Sequence, residues 1–428
     1  MVCVALFACS QNEQDMPRTI DDIAEDYVKL VLEVGQHNDD FVDAYYGPEE
    51  LKPAPLKEGS NFPSEIFLER VSLLMAELNT FAAGSLSEDQ NERVNMLIKQ
   101  LTAVGTKIAM IAGKVYSFDK EAMLLYDVQP PNNSIEYFDT ILAQLNTKLP
   151  GDGTVGERYN KYAKQFVIPK DKIDILFTTA IAEARKRTLA NFTLPANENF
   201  VLEYVTEKSW SAYNYYKGDG QSLIQINTDF PIFIDRVIDL ACHEGYPGHH
   251  VFNALLERNL VVDKGWLEFS VYPLFSPQSL IAEGSANYGI EVAFPGATRI
   301  QYERDVLFPL AGIDPAKVQA YYEIQALRSN LNYAGNEVAR QYLNGNIDRE
   351  RAASMLEKYL LYSPDRALQR TRFIDQYRSY VINYNLGKDL VADYMEAKGG
   401  GTENPAKAWQ IFETLLSNPH TASTLTVE

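Results

Sequence analysis

Apolar residues recur three and four positions apart over most of this chain, and that spacing restricts it to a fold of packed helices. Ile23, Tyr27, Leu30, Val31 and Val34 form one such stripe, which must be buried against another element. Segments 64–83, 89–116, 134–148 and 172–191 repeat the pattern, as do 315–344, 347–361 and 364–396. LPGDGT at 149–154 and a Pro-rich stretch over 48–63 supply a turn and a linker. No internal repeat is visible. With 428 residues, 46% of them hydrophobic, the chain can bury a substantial core. The expectation is a mainly α protein. A short tail (1–16) precedes one helical domain (17–398, in halves 17–190 and 191–398), and a C-terminal helix and tail (399–428) follow the Gly-rich break after Lys398.

One region breaks the helical rhythm. ENFVLEYV (198–205) and SLIQIN (222–227) alternate apolar and polar residues, the period of a strand. Between them runs the aromatic loop KSWSAYNYYKGDG. These two runs predict a small antiparallel sheet just before the chemically richest segment. An extended substrate is expected to add to the 222–227 edge by main-chain hydrogen bonds, with Asn227 among its contacts.

Charge excludes some partners. The 39 basic and 58 acidic residues leave a formal charge of −19, a field that repels nucleic acid and anionic membrane surfaces. Three cysteines build no disulfide framework. Two of them, Cys3 and Cys9, lie in MVCVALFACSQNEQDMP. This apolar stretch resembles the end of a bacterial lipoprotein signal, with Cys9 as the lipidated residue. The implied location is the cell envelope, on a membrane-anchored lipoprotein.

The chain holds five histidines, and three of them fall within HEGYPGHH, residues 243–250. In HExxH, two histidines one helical turn apart share a metal and the Glu acts on a water. Here the second histidine comes six or seven residues later. A regular helix would separate the two by ~9–10.5 Å along its axis, too far for imidazoles bound at ~2.0–2.1 Å to share one zinc. Pro247 and Gly248 must therefore break the helix and fold the second histidine back over the first. The helical phase of Phe252, Leu256 and Leu260 favours His249 as the ligand and leaves His250 for the pocket or substrate. A break one residue longer would exchange them. Forty residues on, LIAEGSANYGIE offers Glu283 as third ligand, with Asn287 one turn away to orient an imidazole. Glu244 is then the general base.

The motif resembles the His-Glu-x-x-Pro-Gly-His-His signature of the bacterial domain-of-unknown-function family 885. FVDAYYGPEE (41–50), KSWSAYNYYKGDGQSLIQINTDFP (208–231), VYPLFSPQSLIAEGSANYG (271–289) and YRSYVINYNLGKDLV (377–391) extend the likeness over most of the chain. The resemblance implies a helical, neurolysin-like zinc metallopeptidase fold, distantly similar to the carboxypeptidase Taq and oligopeptidase families. It marks His243, His249 and Glu283 as zinc ligands and Glu244 as base, and it makes Tyr380 and Tyr384 candidates for stabilising an oxyanion. Arg370, Arg372 and Arg378 could grip a substrate carboxylate, against the plainer expectation that they are solvated or paired with Asp365 and Asp375. The expected activity is hydrolysis of small peptides. The alternatives are a zinc-binding surface lipoprotein without turnover and a zinc amidohydrolase acting on a non-peptide substrate.

Overall fold

In the computed structural model, residues 18–401 and 403–426 are described, and they form a mainly α structure with two small sheets. The lipoprotein-like N-terminus, Cys9 included, lies outside the described residues. No helix among those described is long and apolar enough to cross a membrane.

The first helix, Ile20–Gly35, begins where the sequence supplies a start signal. Thr19 accepts from the Asp22 amide and the Asp22 carboxylate accepts from the Thr19 amide, which satisfies two otherwise orphaned donors. Its stripe of Ile23, Tyr27, Leu30, Val31 and Val34 is fully buried.

Two apolar cores form, and they do not follow a division at residue 190. One joins helices from 20–163 to those of 324–382. The other joins 166–321 to residues beyond 390, including Trp409, Phe412 and Leu416 of the Pro405–Ser417 helix. The C-terminal helix is thus part of the second core rather than an appendage.

The cores meet along the helix Pro277–Ala293, where Leu280 packs into the first and Ile281 and Ala282 into the second. Nearly every residue of this helix is buried, so it shows no amphipathic stripe. Its small residues serve close approach. A Cβ on Gly284 would come within 2.4 Å of the Gly387 backbone, so the helix Leu386–Ala397 can lie directly against it. That crossing brings residues 377–385 beside Glu283.

Strand β1 (Val42–Tyr45) pairs antiparallel with a later strand, Val271–Pro273, a ribbon that alternation alone did not reveal. The sheet beside the motif has three strands, β2 (Asn199–Val205), β3 (Ala212–Gly218) and β4 (Gln221–Asn227), in the order β2-β4-β3. The two runs expected to pair antiparallel, β2 and β4, run parallel, and the antiparallel partner of β4 is β3. The expected aromatic loop is largely β3 itself. Its Tyr-rich run turns back through Gly218-Asp219-Gly220, all three at positive φ. Strand β4 is therefore paired on both sides, and the expectation that a substrate strand adds along 222–227 is overturned.

Candidate metal centre

The stretched motif is accommodated by two helices and a tight break. The helix Asp235–Leu240 widens into a looser turn over Ala241–Gly245. The Gly248 amide then donates back to the Cys242 carbonyl at 2.9 Å, and the helix His249–Leu256 starts at once. Gly248 has a φ of −81°, so no left-handed backbone demands glycine here. Space does: a Cβ there would lie 1.9 Å from the His243 carbonyl oxygen. His243 ends one helical segment and His249 opens the next, and their rings meet edge to face with centroids 4.6 Å apart.

Three side chains converge at this point. The Nε2 atoms of His243 and His249 are 3.1 Å apart. Glu283 Oε2 lies 3.1 Å from the first and 3.7 Å from the second. Donors on a tetrahedral ion at ~2.0–2.1 Å would lie roughly 3.3–3.4 Å apart, so the spacing fits one cation. Glu283 Oε2 is buried and accepts no hydrogen bond, a costly arrangement unless a cation or proton offsets it. The outer partners are in place. His243 Nδ1 is 3.0 Å from Asn287 Oδ1, and the Asn287 amide donates to the Tyr384 carbonyl at 2.8 Å, the second contact that fixes an imidazole ligand.

The electrostatics follow from burial and from this convergence. Burial alone would raise Glu283, but His243 and His249 outweigh it and hold the carboxyl well below its usual range. Burial would lower His249, yet Glu283, with Glu244 and Asp43 behind it, raises it to about 9. Glu244 is pushed up chiefly by its own burial, which suits a base working near neutral pH. The Asn214 amide of β3 donates to its backbone carbonyl at 2.7 Å and ties the sheet to the motif. Asp43 of β1, pushed up to about 6 by burial, lines the same cleft and accepts a hydrogen bond from the Tyr213 hydroxyl. Neither residue had stood out as functional; FVDAYYG and NYY carried the only signal, as part of the family likeness.

Other expected contacts are redistributed. Tyr380 is buried, and its hydroxyl donates to Glu283 Oε1 at 2.7 Å, so it positions a ligand rather than facing a reacting atom. Tyr384 lines the cleft with its ring 6.5 Å from that of His243. His250 does not line the pocket. It is wholly buried, with Nδ1 2.8 Å from Ser222 Oγ and Nε2 3.0 Å from Glu198 Oε2. Asn227 borders the cleft, but its amide is spent on the Lys208 and Trp210 carbonyls and the Asp229 amide. Arg378 is turned away, ion-paired with buried Glu121 at 2.7 Å. The expected pairing of the arginine run with Asp375 also fails, because Asp375 takes Arg349 at 2.6 Å.

All of this opens into a cleft of about 2240 Å³, ample for an extended peptide. No family model matches the chain, and no curated protein does. Among solved structures, the chain is similar to "the putative lipoprotein from Colwellia psychrerythraea", at 16% identity and a TM-score of 0.51, over 85% of this chain and 69% of that one. A "putative lipoprotein of unknown function from Shewanella oneidensis" matches at 13% identity and a TM-score of 0.46, over 85% and 72%. The first likeness is one of fold.

Proposed function

We propose that this protein is a zinc-dependent hydrolase of small peptides, held at the cell envelope. The observation that carries this reading is the buried, unpartnered Oε2 of Glu283, aimed at two imidazole nitrogens beside a second acidic group, Glu244, on the wall of a deep cleft. A bound zinc ion would polarise a substrate carbonyl and acidify a water. His243, His249 and Glu283 would hold it, with Asn287 and Tyr380 fixing the directions of two of them. Glu244 takes the proton of the attacking water and returns it to the leaving amine. Tyr384, which lines the cleft near His243, would donate to the developing oxyanion. The envelope location rests on the lipoprotein-like N-terminus and on a fold shared with a protein described as a putative lipoprotein.

The test is metal content together with cleavage of a mixed peptide library. Zinc should copurify at one equivalent. Glu244→Gln should keep it and lose hydrolysis by a factor of at least ~10². Glu283→Ala should lose the metal. A Glu244→Gln variant with wild-type turnover would remove the proposed base, and a zinc-loaded wild type inert on every peptide would leave a binder without turnover.

A further inference from the structure

The cleft that holds the His243–His249–Glu283 cluster is also lined by Arg236, Arg328, Arg366 and Arg370. Three of them lack an ionic partner among the described residues. Arg366 is held by neutral groups only, the Gln369 carbonyl and Ser211 Oγ, with its guanidinium over Phe230. Arg370 lies over the Phe373 ring at 4.4 Å. Arg328 lies over Tyr159, and its Nε is buried with no hydrogen-bond partner. Of the acids near this group, Asp239 is shared between Arg236 and Arg299, and Asp235 accepts from Tyr321. They do not balance it. A chain carrying −19 overall has concentrated uncompensated positive charge on one wall of this cleft.

The local potential is visible on Tyr362, which lies among these side chains. Burial would raise its hydroxyl, yet Arg370, Arg366, Arg328 and Arg236 together pull it below the usual phenol value. The group also lies within reach of the metal cluster. The Phe373 ring beneath Arg370 is 6.4 Å from that of Tyr384, and Tyr384 is 6.5 Å from His243. At ~3.3–3.6 Å per extended residue, a peptide bound at the cluster would bring a carboxylate to Arg370 within roughly five residues of the bond cut.

We propose that Arg328, Arg366 and Arg370 form a carboxylate-binding subsite that selects anionic peptides for the metal centre. The inference rests on the hydrolase reading for its geometry, but the subsite can be tested without turnover. Guanidinium forks held by aromatic faces and neutral amides are preorganised for bidentate contact with a carboxylate. That carboxylate is either the free C-terminus of the substrate or an acidic side chain.

The experiment uses four fluorescent hexapeptides of one sequence, with a C-terminal acid or amide and with Glu or Gln at one internal position. Binding is measured on the zinc-loaded full chain carrying Glu244→Gln, and cleavage on the otherwise wild-type chain. Arg370→Gln and Arg366→Gln are made in both, with zinc content and thermal unfolding as checks on folding. A carboxylate peptide should bind ten- to hundredfold more tightly than its neutral counterpart, the scale of a charge-assisted contact. Each arginine variant should erase most of that difference while leaving zinc content and affinity for the neutral peptide unchanged. The acid/amide pair reports a terminal carboxylate and the Glu/Gln pair a side-chain one. Equal binding of all four peptides, or a preference that survives both substitutions, would overturn the subsite. Carboxylate-dependent binding without any cleavage would keep the subsite and remove the hydrolase.

Discussion

His249 and His250 are consecutive, chemically identical and differently employed. His249 points its Nε2 into the cleft, toward His243 and a Glu283 oxygen that no protein group satisfies. His250 points into the core, where Ser222 takes one ring nitrogen and Glu198 the other. Glu198 is in turn bound by the Tyr246 hydroxyl and by Arg185. Burial alone would raise Glu198, but these hydrogen bonds outweigh it and hold it below the usual carboxylate range. The packed side is a closed network with its own cation, Arg185, whereas on the cleft side Glu283 Oε2 faces two imidazoles that are themselves candidate ligands. Closure marks a histidine that holds the fold. An unsatisfied acid beside imidazoles marks one that can hold something else.

The largest expected effect comes from removing the break that precedes both. Gly248→Ala must move either the His243 carbonyl or the whole His249 helix, because no side chain can yield at 1.9 Å. Zinc binding should fall by a factor of a hundred or more, as expected when one ligand is displaced from a site that needs three. Zinc content after dialysis against a weak chelator measures it, and full retention would mean that the close approach does not build the site.

Next comes the pair itself. His249→Ala should lose zinc but change the stability of the metal-free protein little. His250→Ala should keep zinc and cost about 2–4 kcal/mol, since Ser222 Oγ is left buried without a partner and Glu198 keeps only Tyr246 and Arg185. Urea unfolding of the metal-free proteins separates the two, and a His250→Ala variant as stable as wild type would contradict the closed network. Smaller again is the contrast between two tyrosines. Tyr380→Phe removes the donor to Glu283 and should weaken zinc binding about tenfold. Tyr384→Phe should leave zinc affinity unchanged and lower kcat by about 10².

The same two sides show what a sequence can disclose. The helical fold was legible because the Ile23–Val34 stripe and its Thr19 start signal are local, and local patterns survive folding. The grouping of His243, His249 and Glu283 was legible because few residue types bind metal and the two histidines lie six residues apart. The helical phase that favours His249 is misleading, however. It placed His249 on a buried apolar stripe and His250 on a polar face, whereas the helix His249–Leu256 is buried at every position except His249. The phase carried across a break was unreliable, and exposure to the cleft is what distinguishes the ligand. Strand β4 was recognised by alternation, but alternation does not say how many neighbours a strand has. The pairings of Tyr380 with Glu283, Arg378 with Glu121 and Asp43 with Tyr213 join residues 97 to 257 positions apart, and no periodicity records them.

The smallest expected effect concerns how each side holds its acids, and it can be read from pH. Asp43, on the cleft side, is raised from 3.8 to about 6, mainly by burial. Folding therefore takes up a proton between those values, and Asp43 lowers stability as pH rises from 4 to 6, with the full cost present at neutral pH. Glu198, on the packed side, has the opposite sign: its depressed value adds stability above the ordinary carboxylate range and loses it only in acid. Asp43→Asn keeps an acceptor for the Tyr213 hydroxyl and removes the charge. In metal-free protein it should gain about 1–3 kcal/mol at pH 7.5, allowing for partial exposure to the cleft, and the gain should vanish below about pH 4. Zinc should shrink the gain at neutral pH, because a nearby cation favours the ionised Asp43. Urea titrations of both chains from pH 4 to 8, with and without zinc, measure all three expectations. Parallel stability profiles for the two metal-free proteins would show that Asp43 is solvated like a surface carboxylate, and the contrast between the open and closed sides would then rest on Glu283 alone.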